Sequence, residues 1–199
     1  PRLGIIGEPT EMGVVDAHKG GRAYETTGVG LEAHSSQRHL GVSAVETAAE
    51  LIGELMRIQA EYESRDVPGA TRFMPPYSTV HVGTINGGTA GNIMARCCSF
   101  HWEQRSLPHT DMDEAHDRLQ RYVAEKVLPR MRRIHPQASV TTRVLAAVPA
   151  LVPDEGSPAE VLAKSLVGSN ATEAVAYMTE AGLFQEAGLP VVVCDPGNI

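Results

Sequence analysis

Three side chains in this 199-residue sequence stand where chemistry is commonly done. Arg105 closes a run in which Met94, Cys98, Phe100 and Trp102 fall on one face, with Ser99, His101, Glu103 and Arg105 on the other. That period-two alternation marks a half-buried strand. Arg105 therefore stands on its polar face, near the point where Leu107-Pro108 stops the pairing. A guanidinium fixed on a rigid strand suits carboxylate recognition, and a solvated strand arginine accounts for the pattern equally well. Glu8 lies in the turn Gly7-Glu8-Pro9-Thr10, directly after an apolar run over 3–6. Open α/β sheets display functional groups at such positions, so Glu8 is a candidate metal ligand, although turn glutamates are more often simply exposed. His34, in Glu32-Ala33-His34-Ser35-Ser36, sits on a loop between a strand and a helix. Loop histidines among small residues are usually surface groups.

Other chemistries find no support. The eight histidines show no HExxH or paired spacing, and there is no GxSxG elbow. Gly87-Gly88-Thr89-Ala90-Gly91 has the glycine content of a phosphate loop but lacks its Gly-Lys-Ser/Thr ending. Cys97 and Cys98 point to opposite faces of a strand and Cys194 is distant. Three cysteines without a CxxC or CxxH pattern read as reduced thiols of a cytoplasmic protein, with no cysteine zinc site. The net charge of -7 argues against nucleic acid or an anionic membrane surface as partner. No apolar run approaches the ~18 residues that span a bilayer.

The elements that must position these residues follow from periodicity. Strands are expected over 3–6, 23–29, 139–148 and 191–193, with two more around the glycine-rich segment 86–92. The runs at either end of the chain are short buried strands that cannot make a covered parallel sheet by themselves. The chain therefore reads as a piece of a longer polypeptide, cut inside a domain at both ends. Residues 42–62 form a helix with Val45, Ala48, Ala49, Ile52, Leu55 and Met56 as its apolar stripe. A second helix starts near Asp111, with Thr110 and Asp113 as a capping box and Pro129 as its end. A third opens on Ser157-Pro158-Ala159-Glu160, with a serine cap, proline at N1 and glutamate at N3. The order β-α-β-β-α-β between the ends fits a ferredoxin-like, four-stranded antiparallel sheet with two helices on one face.

Taken together, Ile5-Ile6-Gly7-Glu8-Pro9-Thr10, Ala17-His18-Lys19-Gly20, Ala33-His34-Ser35-Ser36, Cys97-Cys98 with Arg105-Ser106-Leu107-Pro108, Thr179-Glu180-Ala181 and Pro196-Gly197 resemble the M20 family of dinuclear zinc peptidases and deacylases, and within it the acetylornithine deacetylases. The motifs occur in the family's order along the whole chain. The resemblance implies an α+β protein: a ferredoxin-like lid, or dimerisation domain, over 20–148, flanked by pieces of an α/β zinc-binding catalytic domain at 1–19 and 149–199. It also implies a homodimer formed through the lid.

Carried over by resemblance, Glu8 is a ligand of one of two zinc (or cobalt) ions, and His34 reaches into the partner subunit's active site. Asn92 and Arg105 hold the substrate, Arg105 by its α-carboxylate; Thr179 and Asn198 are further substrate-side residues. His18 and Lys19 are assigned no chemistry and a structural place near the hinge. The implied reaction is hydrolysis of an N-acyl amino acid, with N2-acetylornithine in arginine biosynthesis the leading candidate. A succinyl-diaminopimelate desuccinylase, an aminoacylase and a non-catalytic dimerising module are the alternatives. The remaining metal ligands and the general base are expected outside this chain, which alone should be inactive and hold no zinc. Gln104 and Asp195 depart from the apolar residue and the glycine usual in the family.

Overall fold

A computed structural model describes residues 1–197 and arranges them in two four-stranded sheets. The larger is built from β3 (Gly20–Val29), β4 (Thr79–Gly87), β5 (Cys97–Ser106) and β6 (Ser139–Val148) in the order β4-β5-β3-β6, every pair antiparallel. With α1 (Ala44–Ser64) between β3 and β4, and α2 (Glu114–Tyr122) between β5 and β6, this is the ferredoxin-like order. The alternation expected of β5 holds. Cys98, Phe100 and Trp102 are buried under the helices, with Leu51, Leu55, Ile58 and Leu119 among their companions in one core. Trp102 stacks on Tyr24 of β3 at 4.2 Å, and its Nε1 donates to Thr26 Oγ1 at 3.0 Å, so the indole is buried without losing its hydrogen bond.

The smaller sheet gathers both ends of the chain. β1 (Gly4–Ile6) runs parallel to β8 (Val191–Val193), and β2 (Val15–His18) is antiparallel to β8 and parallel to β7 (Glu173–Val175). The short terminal strands pair with each other, and β2 and β7 complete the sheet, which is mixed rather than parallel. Val191 and Val193 pack on one side, with Ala181 of α5 (Ala181–Glu186); Val192 packs on the other, with Ala159 and Ala163 of α4 (Pro158–Val167). Each face thus receives one helix. α4 starts as its sequence indicates: Ser157 Oγ accepts from Glu160 N, Pro158 stands in the first turn, and Glu160 accepts from Gly156 N at 2.7 Å.

Three local expectations are corrected. The buried stripe of α1 is Ala44, Thr47, Ala48, Leu51, Leu55, Ile58 and Tyr62, whereas Val45 and Met56 are exposed. Thr47 can face inward because its hydroxyl donates to Ser43 O. Thr110 caps no helix. Its hydroxyl donates to Leu107 O at 2.6 Å, and α2 begins only at Glu114. Pro129 does not end the helix either. A single π turn, Val123–Val127, widens the ladder and α3 (Leu128–Arg132) continues with the proline in its first turn, where a missing N–H costs nothing.

The two sheets join at two places. Lys19 alone separates β2 from β3, and the return from β6 pairs Leu151 with His18 through reciprocal backbone bonds of 3.2 and 3.1 Å.

Candidate functional site

Arg105 stands where the alternation of β5 puts it, on the face away from the helices, opposite Gly21 of β3 and Thr79 of β4. Its Nε donates to Glu103 Oε1 at 2.9 Å and its Nη2 to Glu103 Oε2 at 3.3 Å. Gly21 has a steric reason to be glycine: a Cβ there would lie 2.5 Å from Met178 Sδ. Met178 therefore lies over the strand beside the arginine. The next residue, Thr179, is buried, and its hydroxyl accepts from Ala181 N at 3.0 Å at the start of α5. On the other side of Met178, the Tyr177 hydroxyl donates to Pro9 O at 2.8 Å, which pins the turn bearing Glu8. Burial pushes the Tyr177 phenol up, and the carboxylates of Glu8 and Glu173 add to it. Residues 177–179 thus bridge the Glu8 turn to the Arg105 row, near the junction of the two sheets.

Lys19 is buried behind this row. Its ammonium donates to Pro75 O at 2.9 Å and Tyr77 O at 2.6 Å. Burial first, and the Arg105 charge second, pull its pKa down to about 8. His18 is fully buried, with Nδ1 2.8 Å from Lys19 O, and burial lowers its pKa. Both residues tie the junction of the sheets together.

His34 and Asn92 form a second, separate group. The β3–β5 ladder ends at Val29 and Cys97, and loop pairings carry it on: Gly30 N to Arg96 O, Met94 N to Ala33 O, Ser35 N to Asn92 O. His34 caps the short helical turn Ser35–Leu40 by accepting from Ser36 N. Its Nε2 lies 3.4 Å from the Asn92 side-chain amide, and both residues are exposed. From Gly21, opposite Arg105, to Val29 is eight strand steps, ~27 Å at ~3.4 Å each, and His34 lies beyond that. The structure joins Asn92 to His34 and separates both from Arg105. Asn198 lies outside the described residues.

Among the described residues no three His, Cys, Asp or Glu side chains converge as a metal site requires. Glu8 and Asp195 follow the adjacent parallel strands β1 and β8, and Asp195 Oδ1 accepts from Gly197 N at 2.9 Å. Glu8 offers one oxygen ligand, and one carboxylate does not hold a pair of zinc ions. Glu103 and Tyr177 were not singled out from sequence. Signals existed: Glu103 shares the polar face of β5 with Arg105, and Tyr177 is two residues from Thr179.

The peptidase dimerisation domain family matches residues 16–131, more than half of the chain. The chain belongs to the M20 peptidase family. Among M20 relatives, it is 32% identical over its whole length to the acetylornithine deacetylases of Edwardsiella ictaluri and of Pasteurella multocida, covering 50% of each. It thus spans about half the length of these curated relatives. Among solved structures, the aminopeptidase PepT of Bacillus cereus superposes with a TM-score of 0.71 at 19% identity, over 98% of this chain and 48% of that one. The aminobenzoyl-glutamate utilization protein of Klebsiella pneumoniae gives 0.66 at 20% identity, over 98% and 49%. These likenesses bear out the α+β fold with its ferredoxin-like lid.

Proposed function

We propose that this chain is part of a metal-dependent M20 amidohydrolase that removes the acyl group from an N-acyl amino acid, with N2-acetylornithine as substrate. Residues 20–148 are the lid, and 1–19 with 149–199 belong to the catalytic unit. The observation that carries the reading is the separation of His34 and Asn92 from Arg105, within a chain matched along its whole length by acetylornithine deacetylases. Arg105 grips the substrate α-carboxylate, and Thr179 lines the same end. His34, with Asn92 beside it, belongs to the site of the partner subunit in a homodimer, where the imidazole stabilises the developing oxyanion. Such a role is typically worth a factor of about 10²–10³ in rate.

Glu8 is the one carboxylate this chain lends to a zinc (or cobalt) pair whose other ligands, like the general base, lie outside the described residues. When bound, such a pair activates water and polarises the amide carbonyl. No helix among the described residues is long and apolar enough to cross a membrane, and Cys97, Cys98 and Cys194 are free thiols. A reducing cytoplasm suits them.

The test is hydrolysis by the full-length protein of a panel of N-acyl amino acids. N2-acetylornithine should be cleaved with the highest kcat/KM. Preference for N-succinyl-diaminopimelate or for N-acyl neutral amino acids would move the protein to a sister activity. No hydrolysis of any member, with metal supplied, would overturn the enzymatic reading.

A further inference from the structure

A guanidinium carries five N–H donors and offers two edges that take a carboxylate in bidentate fashion: Nε with one Nη, and the two Nη together. In Arg105 the first edge is occupied, since Glu103 accepts from both Nε and Nη2. Among the described residues no acceptor meets Nη1. Both side chains are about a third exposed, at 30% and 32%. They stand two residues apart on one face of β5, in adjacent rows of the sheet, with Gly21 and Thr79 flanking Arg105 and Ala23 and His81 flanking Glu103. The guanidinium is thus held in one orientation by a single carboxylate.

We infer that Glu103 is a positioning residue for substrate recognition: it fixes one edge of Arg105 and leaves the Nη1–Nη2 edge for the α-carboxylate of the substrate. This rests on the reading of Arg105 given above. A single-point contact would accept any anion or amide oxygen. A guanidinium locked along one edge presents two parallel donors at the other, and so discriminates in favour of a planar carboxylate.

The experiment compares N2-acetylornithine with its α-carboxamide in the full-length protein carrying Glu103→Ala, Glu103→Gln or Arg105→Ala. For Glu103→Ala, KM for the carboxylate substrate should rise by about tenfold with kcat within about twofold, as expected when binding common to ground and transition states is lost. KM for the carboxamide should stay as it was. Glu103→Gln keeps one acceptor oxygen and should recover part of the loss; it also carries the test if Glu103→Ala does not fold. An unchanged KM, or equal rises for both probes, would overturn the proposal. A lower KM would do so too, since Glu103 would then compete with substrate. Arg105→Ala separates the two readings. If it abolishes the preference for carboxylate over carboxamide while the Glu103 variants leave it intact, only the role of Glu103 fails. If Arg105→Ala leaves the preference intact, the carboxylate anchor lies elsewhere and both fail.

Discussion

His34 and Arg105 stand at opposite ends of one antiparallel ladder, with Arg105 opposite Gly21 at the start of β3 and His34 on the loop beyond Val29. At ~3.4 Å per residue the span exceeds ~27 Å, several times the length of an acyl amino acid. One chain cannot put both side chains on one substrate. Two chains related by a two-fold axis can, since each then lends its far end to the other's site. In the full-length protein, Glu8→Ala and His34→Ala should each be nearly inactive as homodimers. Co-refolding the two makes half the dimers mixed, and each mixed dimer has one site with both groups intact. Recovery of up to about one quarter of wild-type activity is expected. No recovery despite verified subunit exchange would place His34 in its own chain's site or outside the reaction.

The dimer itself is a separate prediction. β4 and β6 are the edge strands of the lid sheet, and an edge strand is open to pairing with another chain. Ile85 of β4 is 52% exposed, and Val45 and Met56 of α1 are exposed as well. Light scattering at tens of micromolar should give a dimer mass, and a strictly monomeric mass would count against pairing through the lid.

Metal binding should separate this chain from the full-length protein. Glu8 stands among the described residues without two further ligands, so calorimetric titration of the chain with zinc should show only weak, non-stoichiometric binding. A one-to-one site of micromolar or better affinity would mean that the chain assembles a metal centre by itself.

Much of this architecture was legible because its signals are local. The start of α4 depends on Ser157, Pro158 and Glu160 alone, and the alternation of β5 on its own side chains. The stripe of α1 was misread because apolar residues occur on more than one side of that helix. Only packing decides that Leu51 and Ile58 go in while Val45 and Met56 stay out. Pro129 was misread because the π turn that admits it has no compositional signature. Of the candidate site, Arg105, Glu8, His34 and Thr179 lie in motifs, whereas Asn92 enters by resemblance alone. Their division into two distant groups follows from strand register, which no motif encodes. Glu103 and Tyr177 gain their places through one side-chain pair and one hydrogen bond to Pro9, contacts visible only in three dimensions.

Two glycines make opposite predictions about stability. At Gly30 a Cβ would lie 2.0 Å from Val42 O, and the backbone is pinned there by Gly30 N to Arg96 O at 2.7 Å and by the paired bonds of Leu31 and Val42. Gly30→Ala should destabilise by about 1–3 kcal/mol, the usual cost of an overpacked site, and should disorder the loop that carries His34. At Gly53, inside α1, a Cβ would meet nothing within 4 Å. Gly53→Ala should stabilise by about 0.5–1 kcal/mol through helix propensity. Urea denaturation of both variants checks the pair, and the same sign for both would contradict the packing described here.

The Lys19 side chain is buried at the junction of the two sheets. Its two acceptors are the carbonyls of Pro75 and Tyr77, and Arg105 is the nearby charge. Burial, then Arg105, lowers its pKa from 10.5 to about 8. Below pH 8 the lysine is charged in both folded and unfolded chains, and the folded state bears the cost of burying that charge. Between pH 8 and 10.5 the unfolded chain holds a proton that the folded chain has released, so the unfolding free energy rises with pH. The contribution approaches about 1.4 kcal/mol per pH unit inside that window. Tyr24 and Tyr62, whose phenols burial pushes up, act in the opposite sense, but only above pH 10. In Lys19→Met, Pro75 and Tyr77 lose their donor but the cost of burying the charge is removed, and below pH 8 these two effects oppose each other. Between pH 8 and 10 the variant should lack the upward slope, so its stability relative to wild type should fall as pH rises. Parallel curves from denaturant unfolding at several pH values would show that Lys19 keeps its proton in the fold, its charge held by the two carbonyls more strongly than burial opposes it.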